Sequence, residues 1–182
     1  MGLPIDPGGA EDAVRWMEST LGSSVPRCRH LVTLNPEYVM MARHDPDFRS
    51  SLQRADRTTA DGIGVVLAAR WLWPAETHKR PLERVTGVDL VEHIARLGPA
   101  GVFLLGGAPG VAAGAAARLM HRWPGFVPAG SWDGGSADPV DDRESLERIG
   151  QSAARVVLVA YGAPGQILWI ARNQDALGRQ GV

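Results

Sequence analysis

Thr58-Thr59-Ala60-Asp61-Gly62-Ile63-Gly64 places one carboxylate between a short extended run and the apolar, helix-spaced residues 62–72. A strand that hands over to a helix through a polar turn is the building unit of open α/β sheets, which bind ligands beyond the carboxyl ends of their strands. The same layout recurs on either side of this stretch. Upstream, Leu31-Val32-Thr33-Leu34 reads as a short buried strand, followed by Asn35 as a candidate N-cap and by Pro36, which suits a first helical turn. Downstream, Val102-Phe103-Leu104-Leu105 runs into Gly106-Gly107, and Val156-Val157-Leu158-Val159-Ala160, the clearest strand of the chain, precedes Gly162-Ala163-Pro164-Gly165-Gln166.

Helical spacing fills the intervals. Residues 11–21 place Val14, Met17 and Leu21 on one face before Gly22-Ser23-Ser24 interrupts, and a second helix carries Tyr38, Val39, Met40 and Met41. Asp45 caps a helix over 46–54, and Val88, Leu90, Val91, Ile94 and Leu97 mark another from Gly87. Further helices are expected over the alanine-rich 111–120, over 144–153 and from 167–173, with a strand at 126–131. The polar, proline-bracketed residues 73–81 read as a loop suited to a lid, and the glycine- and aspartate-rich 132–142 as another. This alternation predicts a Rossmann-like α/β fold, a mainly parallel sheet with helices on both faces, formed by residues 1–182 as a single domain.

Composition narrows the function. With 182 residues, 45% of them hydrophobic, the chain can bury a substantial core. A net charge of −1 and the lack of interleaved aromatic and basic residues argue against nucleic acid as a partner. Positive charge is almost all arginine, with Lys79 the only lysine, which compositional bias explains most simply. The single cysteine, Cys28, rules out an intrachain disulfide and a cysteine-rich zinc site; beside an apolar strand it reads as packing, and it fits a reducing cytoplasm. No run of about eighteen apolar residues and no secretory layout is present, so the chain is expected neither to span a membrane nor to be exported by that route.

The Thr33-Leu34-Asn35 loop, the Ala60-Asp61-Gly62-Ile63-Gly64 turn, Glu83-Arg84-Val85-Thr86-Gly87, Leu105-Gly106-Gly107 and the Gly162-Ala163-Pro164-Gly165-Gln166 loop, in this order and spacing, resemble the WecG/TagA/CpsF family, glycosyltransferase family 26. The resemblance runs from about Gly2 to the last residue. It implies transfer of a sugar from a nucleotide diphosphate donor, most often UDP-N-acetylmannosamine or its uronic acid though UDP-glucose users look similar, onto an undecaprenyl-diphosphate-linked acceptor in bacterial cell-surface polymer synthesis. It further implies a cytoplasmic site at the inner face of the plasma membrane, with peripheral membrane contact, no cofactor and no metal. It leaves room for a homo-oligomer. The chain ends at Gly181-Val182, where the family continues into a strand, a glycine-rich loop and a basic tail that closes over the nucleotide; weaker donor binding than in a tailed relative is therefore expected.

Glycosyl transfer needs a base for the acceptor hydroxyl, groups that receive the charge growing on the leaving diphosphate, and a pocket that orients the donor. Asp61 aligns with the family's proposed catalytic aspartate and is the candidate base; partial burial would strengthen it by raising its pKa. Without the resemblance, an N-cap at the turn would be its simpler role. Thr33 and Asn35 match the family's active-site loop as donor contacts, roles that capping does not exclude. Arg84 aligns with a family arginine suited to a diphosphate. Gly106 and Gly107, ahead of a helix, lie where backbone N–H groups receive anions, although a plain tight turn reads equally well. Gln166 matches a family glutamine, but Gly165 and Ile167 replace its neighbouring lysine and glutamate.

Asp45-Pro46-Asp47 has the Asp-x-Asp form of metal-dependent transferases, yet Asp45 and Pro46 read as a helix start, and His30, His44, His78, His93 and His121 lack zinc-ligand spacing. Trp71, Trp73, Trp123, Trp132 and Trp169 read mainly as packing, with Trp71 and Trp73 the best candidates for contact with a lipid-linked substrate. Two rival readings remain: a non-catalytic UDP-sugar-binding or interaction module derived from the family, and a nicotinamide-dependent oxidoreductase, which lacks the full Gly-x-Gly-x-x-Gly pattern.

Overall fold

In the computed structural model of the chain, residues 2–23, 25, 27–97 and 101–182 are described, Leu97 through its backbone alone. Ser24 of the expected helix break and the apolar side chain of Leu97 lie outside the described residues. The fold is α/β with parallel sheets, as the alternating pattern implies. Among the described residues the strands divide into two sheets, one of two strands and one of three, within two compact units.

The first unit comprises Met1–Gly22 and Arg29–His93. Its helix α1 (Ala10–Leu21) buries Ala13 and Val14, which pack with Val85 and Leu90. Strand β1 (Leu31–Leu34) inserts Val32 and Leu34 into the core and pairs in parallel with β2 (Arg57–Ala60), Leu34 opposite Ala60. Between them, α2 (Pro36–His44) is capped by Asn35, whose side-chain oxygen accepts the Tyr38 N–H at 2.8 Å. Asp45 does the same for Phe48 at 2.9 Å to open α3 (Pro46–Gln53). Asp45 is thus a helix cap, as its sequence position suggested. Tyr38 and Phe48 then meet edge to face, centroids 5.4 Å apart.

After β2 comes α4 (Ile63–Leu72), which buries Val65, Val66 and Ala69 against Ala60, Leu82 and Ile5. Residues 73–81 depart from the expected loop. They contain helix α5 (Pro74–Lys79), with Pro74 at its start, Glu76 in its first turn and His78 and Lys79 in its last, an order that favours a short helix. None of its side chains is buried, so no apolar periodicity announced it. Helix α6 (Gly87–Leu97) continues into the second unit.

The second unit comprises Ser23–Cys28 and Ile94–Val182. Its central strand β3 (Val102–Gly106), buried at every position, lies between β4 (Pro128–Trp132) and β5 (Val156–Ala160), all parallel. A strand covered on both faces has no reason to alternate, and Val102 to Leu105 does not. Helix α7 (Val111–Arg122) packs on β3 and β4, and α9 (Gly165–Gln180) on β5 and on α8 (Asp142–Gly150). Trp169, wholly buried, anchors a core with Phe103, Leu105, Ile149, Leu177 and Cys28. Cys28 is a buried thiol that packs within this core. The expected loop at 132–142 includes the end of β4 and a 3₁₀ turn, Pro139–Asp141.

Candidate active site

Strand register brings the first group of candidate residues together. Leu34 lies opposite Ala60 in the β1–β2 ladder, and Ala60 bridges in parallel to Arg84 on its other side. Asn35 and Asp61, each the first residue beyond its strand, therefore leave the sheet at the same carboxyl end, beside Arg84. Two backbone bonds tie the ends together: Asp61 N–H to the Leu34 carbonyl at 2.7 Å, and Val85 N–H to the Ala60 carbonyl at 2.8 Å. Thr33 points to the same place, since a β-carbon added to Gly87 would lie 3.9 Å from its Oγ1.

The turn after Asp61 depends on glycine. Gly62 has φ +103° and ψ 139°, and a β-carbon there would stand 3.4 Å from Cδ of Pro36. Only a residue without a side chain holds that conformation cheaply. Gly62, not Asp61, occupies the N-cap position of α4, and no side chain caps that helix. The carboxylate of Asp61 instead lies near the backbone N–H of Gly87, the first residue of α6. The α6 start is built by a reciprocal pair, Thr86 N–H to the Asp89 carboxylate at 3.0 Å and Asp89 N–H to Thr86 Oγ1 at 3.1 Å.

This setting raises the pKa of Asp61. Its side chain is half-buried, and loss of hydration, the largest influence, raises its pKa above the usual 3.8. The positive charge of Arg84 and the Gly87 N–H pull it down, while the negative charge of Asp89 pushes it up. A carboxylate more basic than its exposed counterpart suits proton abstraction. Arg84 itself is exposed, its charge free to meet an anion. Asn35 spends its oxygen on the α2 cap, and its amide nitrogen makes no hydrogen bond among the described residues.

A glycosyl transferase family model, WecG/TagA/CpsF, matches residues 1–182. The chain belongs to that family. Membership in the WecG/TagA/CpsF family supports a glycosyltransferase role in cell-surface polysaccharide synthesis.

Gly106, Gly107 and Gln166 belong to the second unit. Gly106 ends β3 opposite Ala160 with φ +92°, and a β-carbon there would stand 2.7 Å from the Tyr161 ring. The Gly107 N–H donates to the Ala160 carbonyl at 3.0 Å, and the Gly110 N–H donates to the Asp133 carboxylate. One backbone donor at the start of α7 is therefore already paired with an internal anion. Gln166 Oε1 accepts the Gly162 N–H at 3.1 Å and closes the loop ahead of α9. Sequence reasoning missed Gly87 and Asp89 as neighbours of Asp61. The Thr86-x-x-Asp89 spacing announces the helix start, but which carboxylate its free N–H would meet is a long-range fact.

No helix of the described residues is long and apolar enough to cross a membrane. Trp169 is core and Trp132 packs against it, whereas Trp71 and Trp73 stand in solvent.

Proposed function

We propose that the chain is an inverting, metal-independent glycosyltransferase that moves a sugar of the N-acetylmannosamine type from a UDP-sugar to an undecaprenyl-diphosphate-linked acceptor at the cytoplasmic face of the membrane. Asp61 takes the proton of the acceptor hydroxyl as that oxygen bonds to the anomeric carbon from the face opposite the nucleotide. The bond between the anomeric carbon and the diphosphate oxygen breaks in the same step, and its electron pair leaves with UDP. Arg84 offsets the charge that develops there, and Thr33 and Asn35 orient the donor. The observation that carries this reading is Asp61 itself: a desolvated carboxylate at the shared carboxyl end of two parallel strands, next to an exposed arginine. Gly106, Gly107 and Gln166 are proposed as substrate-binding residues of the second unit, and residues 1–182 as one glycosyltransferase domain.

A second reading, a UDP-sugar-binding module without transfer activity, is favoured by two observations. Gly165 and Ile167 stand where the resemblance expects lysine and glutamate, and Asp133 occupies the Gly110 N–H. A melting-temperature screen with UDP, UDP-sugars and NAD, followed by a transfer assay with a polyprenyl-diphosphate-linked acceptor, separates the cases. Stabilisation by UDP with product formation supports transfer. Stabilisation by UDP without product supports the module, and a response to NAD alone overturns both.

A further inference from the structure

Helix α4 carries apolar side chains on both of its faces. Val65, Val66 and Ala69 are buried, and the exposed arc opposite them holds Ile63, Gly64, Leu67, Ala68, Trp71 and Leu72, with Arg70 at its edge as the one charged member. A helix that is apolar on every side is normally covered on every side. Here Ile63, Leu67 and Trp71 stand open to 61%, 55% and 82%, and Leu72 and Trp73 to 53% and 50%. Single exposed apolar residues are ordinary, but five large ones within eleven positions form a patch that calls for an occupant.

Shape and charge point to a second copy of the same chain. Ile63, Leu67 and Trp71, four residues apart, form a ridge, and Gly64 and Ala68, equally spaced beside it, form a groove. A ridge and a groove on one face let two identical helices interlock, which is what a two-fold interface requires. From Asp61 to Glu83 the chain carries Asp61, Glu76 and Glu83 against Arg70, Lys79 and Arg80, three charges of each sign, so the surroundings of the face neither repel a copy nor draw an anionic surface. The signs are also ordered. Asp61 precedes the start of α4 and Arg70 lies in its last turn, so antiparallel helices bring the basic end of one beside the acidic end of the other. The five large side chains leave on the order of 600 Å² open in each copy, and a pair that covers them buries about 1,200 Å², the lower bound of a specific, stable interface.

We infer that the exposed face of α4 is a homodimer interface, in which the helices of two copies cross antiparallel near Leu67. Pairing does not depend on the proposed reaction. It does reach the candidate site: an antiparallel crossing at Leu67 sets Trp71 of one copy beside Ile63 of the other, two residues beyond Asp61. Each copy thus adds an aromatic side chain next to the other's candidate base.

The test is sedimentation velocity of the full chain over about 1–100 µM, where an interface at the lower bound of size is expected to take the wild type from monomer to dimer. Leu67→Asp, which puts a charge on the ridge, and Ala68→Leu, which fills the groove, are each expected to weaken pairing by at least about tenfold. Both positions are exposed, so thermal melts of the two variants should stay close to the wild-type melt. Leu67→Cys reads the geometry without breaking the contact: mild oxidation should link two copies through this position near the axis, whereas Val140→Cys, 81% exposed in the second unit, should stay unlinked. A wild type that remains monomeric at the top of the range, whether or not it floats with lipid vesicles, would overturn the inference. So would a dimer that both the ridge and the groove variants leave intact, or one that Leu67→Cys fails to link.

Discussion

Asp61→Asn removes a base and a charge while leaving the shape of the turn. Asparagine keeps the size of the side chain and the backbone bond from its N–H to the Leu34 carbonyl, so the turn survives. Loss of a positioned general base typically costs about 10²- to 10⁴-fold in rate, and that is the expected fall in kcat, with little change in KM for the donor. Stability should respond in the opposite sense. The folded-state pKa of Asp61 is raised, so the fold holds this proton more tightly than the unfolded chain does. The favourable contribution is complete at low pH and is lost as pH rises through the folded value. At pH 7 the ionised carboxylate therefore weighs against folding, and neutral asparagine should melt at the wild-type temperature or slightly above it. Partial exposure keeps the gain small. Initial rates over a range of donor and acceptor, beside thermal melts of both proteins, supply the two readouts. A variant that retains more than a tenth of the wild-type kcat would refute the base assignment. A melting temperature several degrees lower would show that Asp61 holds the turn together.

The charges around Asp61 can be tested by sign: Arg84→Gln should move the acid limb of the kcat/KM profile to higher pH, and Asp89→Asn should move it lower, because the first removes a charge that depresses the Asp61 pKa and the second one that raises it. Gly62→Ala places a β-carbon on a backbone with φ +103°, at a cost of about 1–3 kcal/mol measurable by urea denaturation and a melting temperature lower by roughly 2–10 °C. His30, buried and held down to a pKa of about 4 by loss of hydration despite Asp56 nearby, makes the fold sensitive to acid. Between the unfolded value near 6.5 and the folded value, the unfolded chain binds the proton first, so stability should fall by roughly 3 kcal/mol as pH drops through that interval. In His30→Leu, denaturation midpoints should lose most of that pH dependence.

Much of the fold was legible where local signals coincide. Val156 to Ala160 is a strand at the expected residues, and Asn35 and Asp45 cap the helices that their prolines begin. Helix α5 escaped because a helix that buries nothing has no apolar period to read. The division of the strands, among the described residues, over two sheets escaped because pairing is set by register between distant segments, such as Ala60 with Arg84, and no short window contains it. In the candidate site, the strand-to-helix turn at Asp61 was visible, but its surroundings were not. A local reading makes Asp61 a cap for α4, the helix it precedes; Gly62 holds that position, and the groups that act on the carboxylate, Arg84, Gly87 and Asp89, lie more than twenty residues away in sequence.

That difference bears on function. Asp12 and Asp89 accept backbone N–H groups where α1 and α6 begin, and in both the hydrogen bond is the leading influence and lowers the pKa, as expected of a carboxylate retained for capping. Asp61 also lies near an N–H at a helix start and has Arg84 nearby, yet its pKa rises, because burial outweighs both. A carboxylate serving only as a cap gains nothing from desolvation, whereas one that must remove a proton gains basicity from it. The fold thus accepts an unfavourable charge at the carboxyl end of β2, a position that stability alone would fill better with asparagine, as the role proposed for Asp61 requires.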